Sequence, residues 1–328
     1  MLNIVYAGSP DVAAIPLLKL AEAQAKGASF RIVGILTNPA SAQKRSKELI
    51  PTPVAQTASE IQQKFNLQIP VLTPEKLDAQ ARNQIASLNP DLLVCFAYGH
   101  FFGPKFMELF PLGGINLHPS LLPKYRGCAP VPAAILNLDE KTGVTIQKIA
   151  QEMDAGDILE QCIIDLSGTE TTSFLLKKAA ELGAELLLKI VTEASTKGEL
   201  PQGKPQDGSL ATTCTSLCKE DGCINWQLSA KEIDARVRAF SPWPGTFTEA
   251  NGNILKILET CLYPNQCHTE NIAGSVIGTD KQFGIMVQTG NGIICIQRLQ
   301  WQTKKAVNWK EFINGSRNFL GTILGKQD

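Results

Sequence analysis

An α/β doubly wound domain with a mainly parallel sheet, followed by a small β-barrel domain, is the fold that these 328 residues predict. Three observations lead there. Short apolar runs alternate with amphipathic segments through the first half, a Gly- and Pro-rich polar stretch follows near residue 200, and beyond it short β-branched runs are punctuated by Gly and Asn. Domains usually hold about 100 to 200 residues, so the length suits two.

The first-half order is LNIVYAG, VAAIPLLKLAEAQ, FRIVGILTN, a polar stretch, a helix near Ala55 to Phe65, then DLLVCFAYG. Runs of Ile, Val and Leu without polar alternation fit strands buried on both faces, and the amphipathic segments between them supply crossover helices. Ligands of such sheets bind at the carboxyl ends of the strands. The first turn, AGSPDVAAI, has one glycine where a dinucleotide fingerprint needs three, which argues against a nicotinamide or flavin. A helix around Thr171 to Thr196 leads into KGELPQGKPQDGS, so the division expected is 1–196, a linker at 197–213, and 214–328. The last part offers a helix-like SAKEIDARVRAF, the turn FSPWPGTF, and the strand candidates ILKILETCL, AGSVIGT, FGIMVQTG and GIICIQRLQ.

Hydrophobic residues at 44% and charged residues at 19% describe an ordinary globular chain. With 31 basic and 31 acidic residues, bulk charge selects no nucleic-acid partner, so any such partner requires local clustering. MLNIVYAGSP enters a strand at once, and no run approaches the ~18 apolar residues of a membrane span. The expectation is a cytoplasmic protein without membrane association. Nine cysteines include Cys214, Cys218 and Cys223, whose spacing fits a zinc knuckle loosely and lacks a completing pair other than Cys267-His268; reduced thiols and no metal are expected.

The stretch NLHPSLLPKYRG carries the chemistry. Side chains alternate across a strand, so Asn116 and His118 share one face and Ile115 and Leu117 the other. Amide and imidazole N–H groups are suitable donors to a developing oxyanion, which suits acyl transfer. Asp154 in QEMDAGDIL, in preference to Asp157, is the candidate partner for the imidazole, whose protonated form it would favour. A structural reading fits the same residues: a histidine satisfied behind an apolar strand and an asparagine bonded to loop backbone. Spacing alone does not separate the two.

NLHPSLLPKYRG with GCAPV, GVTIQKIAQEMDAGDIL, LNIVYAGSP, LLVCFAYG and FSPWPGTF together resemble the methionyl-tRNA formyltransferase family over nearly the whole chain. The resemblance implies a Rossmann-like formyltransferase domain followed by an OB-like barrel. It implies transfer of a formyl group from 10-formyltetrahydrofolate, a cosubstrate, to the α-amino group of methionyl initiator tRNA, with Asn116, His118 and Asp154 as catalytic residues. The folate pocket would be lined by Phe96, Ala97, Tyr98, Gly99, Ser120, Leu121, Leu122, Pro123, Gly156 and Asp157, with Ala97, Tyr98 and Gly99 shaping it largely through backbone; His100 departs from the family's pattern and reads as a surface or pocket-rim residue.

For the tRNA, the resemblance implies a basic loop at Lys44, Arg45 and Lys47, although the usual Gly-Arg-Gly-Lys-Lys core is replaced by Gln-Lys-Arg-Ser-Lys. Arg126 is a candidate for an anionic partner. Residues 209–328 carry 12 basic and 10 acidic side chains, so clusters such as Arg236 with Arg238 and Lys304 with Lys305 would make the phosphate contacts. Trp243 is expected to pack at a junction, and the chain to act as a monomer. The rival readings are a formyltetrahydrofolate hydrolase, an amino-sugar formyltransferase, and a non-catalytic RNA-binding module.

Overall fold

A computed structural model describes residues 1–42, 48–265 and 271–325; Lys44, Arg45, Lys47, Cys267 and His268 lie outside the described residues. Two compact units emerge. The first comprises Met1–Gly127, Thr142–Asp165 and Leu176–Cys214, and the second Cys128–Lys141, Leu166–Leu175 and Thr215–Asp328. The polar stretch at 197–213 thus falls inside the first unit, while two segments from the first 196 residues fall in the second.

In the first unit, β1 (Leu2–Gly8), α1 (Asp11–Ala25), β2 (Phe30–Leu36), α2 (Pro53–Phe65), β3 (Val71–Leu72), α3 (Ala79–Ala86) and β4 (Leu92–Phe96) alternate as the apolar runs predict. The strands β5 (Gly114–His118), β6 (Lys141–Lys148) and β7 (Ile158–Asp165) complete a seven-stranded sheet of order β7-β6-β5-β4-β1-β2-β3. The pairs β1/β2, β2/β3, β1/β4 and β4/β5 are parallel, and β5/β6 is antiparallel. The chain builds outward from β1 to β3 and then jumps to β4 on the other side of β1, so the strand order reverses between β1 and β4. Open α/β sheets leave a crevice beyond the carboxyl ends of the strands at such a point.

Local chemistry sets these elements. Thr52 caps α2 by accepting the Ala55 N–H through Oγ1, and Pro53 sits at the first helical position, where no backbone donor is required. Gly8 ends β1 where a Cβ would lie 2.8 Å from both Ala13 Cβ and the Phe96 carbonyl oxygen, so only glycine allows helix and neighbouring strand to approach this closely. Leu117 of β5 packs against Gly183 of α4 (Thr172–Lys197), which fixes the apolar face of β5 and sends Asn116 and His118 to the opposite one.

In the second unit, α5 (Ala230–Ala239) begins with a capping box in which Ser229 and Glu232 bond reciprocally. The strands β8 (Thr246–Ala250), β9 (Asn253–Leu262), β10 (Val276–Asp280), β11 (Gly284–Gln288), β12 (Ile293–Trp301) and β13 (Val307–Asn308) form one antiparallel sheet. Its order is β8-β9-β12-β11-β10, with β13 on β12. Asn251-Gly252, both at positive φ, make the tight hairpin turn between β8 and β9 that an Asn-Gly pair favours. The sheet buries Leu255, Ile257, Ile285, Val287, Ile294 and Ile296 against Ile233 and Val237 of α5. Trp243, expected to be packed, is 60% exposed: the turn with Pro242 and Pro244 on either side carries it outward.

Candidate active site

Four polar side chains share one face of the β5/β6 pair. Asn116 is directly opposite Gln147 and His118 opposite Thr145, and directly opposed residues on antiparallel strands project to the same side. His118, Thr145 and Gln147 are buried, while Asn116 is half-buried. Among the described residues the Asn116 carboxamide has no hydrogen-bond partner, so its donors remain available to an incoming oxygen.

His118 is held at both ring nitrogens. Nε2 lies 2.9 Å from the Tyr125 carbonyl oxygen, which can only accept, so Nε2 carries the hydrogen; Nδ1 faces Asp154 Oδ2 at 3.5 Å. Burial pushes the imidazole below its ordinary pKa and outweighs the opposing pull of the Asp154 carboxylate and the Tyr125 carbonyl. The expected preference for the protonated form is therefore reversed, because a charge this deep loses more hydration than one nearby carboxylate restores. The His118 N–H is given to the Tyr125 carbonyl, so among the donors on this face the Asn116 carboxamide is the one with uncommitted N–H groups.

Asp154, not Asp157, faces the imidazole. Its Oδ1 accepts from Gln147 Nε2 and its Oδ2 from the Gly127 N–H, each at 2.8 Å. It adopts φ 52°, a left-handed conformation that costs a residue with a Cβ about 1 to 3 kcal/mol unless its surroundings impose it. Gln206 supplies part of that constraint: Nε2 donates to the carbonyl oxygens of Asp154 (2.8 Å) and Gly156 (2.7 Å), and Oε1 accepts from Arg126 Nε (3.1 Å) and Nη2 (2.9 Å). Arg126 Nη1 donates to Glu152 Oε1 at 3.0 Å, leaving its side chain only 11% exposed. Gly156 is required to be glycine, because a Cβ there would stand 1.8 Å from the Lys148 carbonyl oxygen. The Asp157 carboxylate instead lies 3.9 Å from Lys148 Nζ.

The loop behind His118 is pinned by hydroxyls and amides. Ser120 is fully buried and donates through Oγ to the Lys124 carbonyl at 2.6 Å. Thr145 Oγ1 donates to the Ser120 carbonyl and accepts from the Leu122 N–H, and Gln161 Nε2 donates to the Leu122 carbonyl. Leu121 packs over Gly143, and Pro123 accepts from the Thr212 N–H. At the switch point, Phe96 closes β4, Ala97 and Gly99 take positive φ, and Tyr98 is buried with burial raising its phenol to about 12. Among the described residues the Tyr98 hydroxyl and Asn38 Oδ1 are buried without a partner, and the Tyr98 ring stacks on Phe102 at 5.6 Å. His100 is exposed, with its ring 5.0 Å from that of Tyr98.

The cationic candidates separate by environment. Lys304 and Lys305 are exposed, and Lys304 borders a shallow cleft of about 300 Å³ with Asn253 and Trp301. Arg236 is half-buried over the Phe240 ring at 5.4 Å. Arg238 is committed within its unit, donating to Asp234 Oδ2 at 2.8 Å and the Glu170 carbonyl at 3.0 Å, and is 14% exposed. No group of three His, Cys, Asp or Glu side chains is placed to hold a metal ion among the described residues.

Sequence reasoning missed Gln147, Tyr125 and Gln206. Polar Thr145 and Gln147 two apart in an apolar strand were a usable signal for the first. Nothing local marks the other two.

Comparison with known proteins agrees with this architecture. Residues 2–191 match the formyl transferase family model and residues 216–317 the model of the formyl transferase C-terminal domain. The methionyl-tRNA formyltransferase of Treponema denticola is 45% identical over 97% of this chain and 98% of its own length; that of Dictyoglomus thermophilum is 35% identical over 98% and 99%. Among solved structures, HypX from Aquifex aeolicus in complex with tetrahydrofolic acid superposes with a TM-score of 0.64 at 12% identity, over 98% of this chain and 48% of its own. The N-formyltransferase from Helicobacter canadensis gives 0.61 at 19% identity, over 90% and 99%. These two likenesses speak for the fold. By the near-full-length identity to its curated relatives, the chain belongs to the methionyl-tRNA formyltransferase family.

Proposed function

We propose that this enzyme transfers the formyl group of 10-formyltetrahydrofolate to the α-amino group of methionyl initiator tRNA, with Asn116, His118 and Asp154 as its catalytic residues. The observation that carries the reading is the unpartnered Asn116 carboxamide beside a neutral histidine that faces Asp154, on one sheet face next to the strand-order reversal.

The free amine attacks the formyl carbon, a C–N bond forms, and the carbonyl oxygen becomes an oxyanion. Asn116 donates to that oxygen, an interaction that gains strength as charge develops. The attacking nitrogen must lose a proton. His118 is neutral near pH 7 and takes it up together with Asp154, the proton passing through the carboxylate or a water to Nδ1, where the resulting imidazolium has the Tyr125 carbonyl and Asp154 as acceptors on either side. Returning the proton to the folate nitrogen as the C–N bond to folate breaks completes the transfer. Acid–base assistance of this kind is typically worth about 10² to 10⁴ in rate.

The folate is proposed to lie along Phe96, Ala97, Tyr98 and Gly99 and the Ser120–Pro123 loop, near Gly156 and Asp157. The tRNA is proposed to meet Lys44, Arg45 and Lys47, with Lys304, Lys305 and Arg236 on phosphates. Arg126 and Arg238 are better described as internal ties. Because the acceptor is charged tRNA, the enzyme works alongside translation in the cytoplasm, and we propose that it does so as a monomer.

The test is a transfer assay that supplies 10-formyltetrahydrofolate with methionyl initiator tRNA, methionyl elongator tRNA, a nucleotide-linked amino sugar, or water alone. Formyl-methionine on the initiator tRNA supports the proposal. Formate in water alone, or product on the sugar alone, replaces it with a hydrolase or a sugar formyltransferase.

A further inference from the structure

Gln206 comes from the polar stretch that reads as a simple connection, 52 residues from Asp154, yet its amide is used almost completely. Both sides of that amide bear on the same junction. On the donor side it binds two carbonyls of the Asp154 loop, and on the acceptor side it holds the Nε and Nη2 fork of Arg126. Arg126 immediately precedes Gly127, whose N–H donates to Asp154 Oδ2. The contacts close a ring: Asp154 carboxylate, Gly127 N–H, Arg126 guanidinium, Gln206 amide, Asp154 carbonyl.

We propose that Gln206 is a positioning residue for formyl transfer, clamping the left-handed Asp154 backbone to Arg126 so that the carboxylate stays against His118. The proposal rests on the formyl-transfer reading above. Three features support it. Asp154 has a backbone conformation that residues with a Cβ rarely adopt unforced, and Gln206 binds its carbonyl directly. Gln147 fixes one carboxylate oxygen and Gly127 the other, and Gln206 Nε2 also lies 3.3 Å from Gln147 Oε1, so the same amide bears on the Asp154 carbonyl and on the side chain that holds its first carboxylate oxygen. The segment carrying Gln206 is secured independently of that side chain. Lys204 and Ile158 exchange two backbone bonds at 2.8 Å, Thr212 accepts from the Arg126 and Tyr125 N–H groups, and Thr213–Cys214 pairs with Arg126–Gly127. Removing the amide therefore leaves the segment attached.

The experiment compares Gln206→Ala and Gln206→Glu in the wild-type and Asp154→Asn backgrounds. The glutamate keeps an acceptor for Arg126 but cannot donate to the two carbonyls, so it isolates the donor half and guards against misfolding of the alanine variant. Both substitutions are expected to lower kcat about 100-fold in the wild-type background, as a displaced catalytic group does. KM for both substrates is expected to stay within about threefold, since the amide makes no substrate contact. In the Asp154→Asn background they are expected to change kcat by no more than about twofold, because residues acting through one another are not additive.

Gln206→Glu with wild-type kcat, or the same fold loss in both backgrounds, overturns the proposal. If the wild-type enzyme does not formylate methionyl-tRNA, the functional reading fails instead. The clamp is then still tested by the NMR titration of His118, whose midpoint is expected to fall in Gln206→Ala as the carboxylate recedes; an unmoved midpoint counts against it.

Discussion

His118 Nδ1 lies 3.5 Å from Asp154 Oδ2, with the imidazole buried on the sheet face that also bears Asn116 and the carboxylate half-buried in the loop that faces it. Burial, more than the carboxylate, decides its protonation: the imidazole is held below its ordinary pKa and is neutral at pH 7. It is thereby ready to take a proton.

A pH dependence follows, with a definite sign. The unfolded chain protonates this histidine near its usual ~6.5, while the native state does so only at lower pH. Between the two values the unfolded state holds more protons, so stability is full above ~6.5 and falls as pH drops below it. Urea midpoints measured from pH 7.5 to 5 should therefore fall more steeply for the wild type than for His118→Gln. The acid limb of kcat/KM should have its midpoint below 6.5.

Asp154→Asn should impair both chemistry and packing. Its two oxygens accept from Gln147 and Gly127, and an asparagine must turn its NH₂ toward one of these donors. One unmet donor costs about 1 to 3 kcal/mol, which thermal unfolding would register, and loss of the acid–base partner should lower kcat by about 10² or more.

The arginines and lysines of the second unit should divide into two classes. Arg238→Ala leaves Asp234, 8% exposed, with Thr260 as its one side-chain hydrogen-bond donor among the described residues, and is expected to lower the unit's stability by about 3 kcal/mol. Replacing Lys304 and Lys305 with alanine should leave the melting temperature unchanged. It should reduce the slope of log tRNA affinity against log salt by about 2. Filter binding at several salt concentrations, together with calorimetry, distinguishes the classes.

Much of the fold was legible because its signals are local. Uninterrupted apolar runs gave the parallel strands, SAKEIDARVRAF gave the helix Ala230–Ala239, and the Gly and Asn between the later apolar runs gave the turns of the second unit. The strand period of two placed Asn116 and His118 on one face. Properties that depend on distant segments were not legible. The neutral state of His118 comes from burial, the commitment of Arg126 comes from Gln206 and Glu152, and the grouping of residues 128–141 and 166–175 with the second unit comes from packing. In each case the deciding neighbours lie far along the chain.

The most direct test of the site is single-turnover formyl transfer by Asn116→Ala, with tRNA affinity measured in parallel. Because the carboxamide has no hydrogen-bond partner among the described residues, the variant is predicted to fold normally, bind methionyl initiator tRNA like the wild type, and transfer formyl about 10² to 10³ times more slowly. Transfer at the wild-type rate, or affinity falling together with rate, would contradict the assignment of Asn116 as the oxyanion donor.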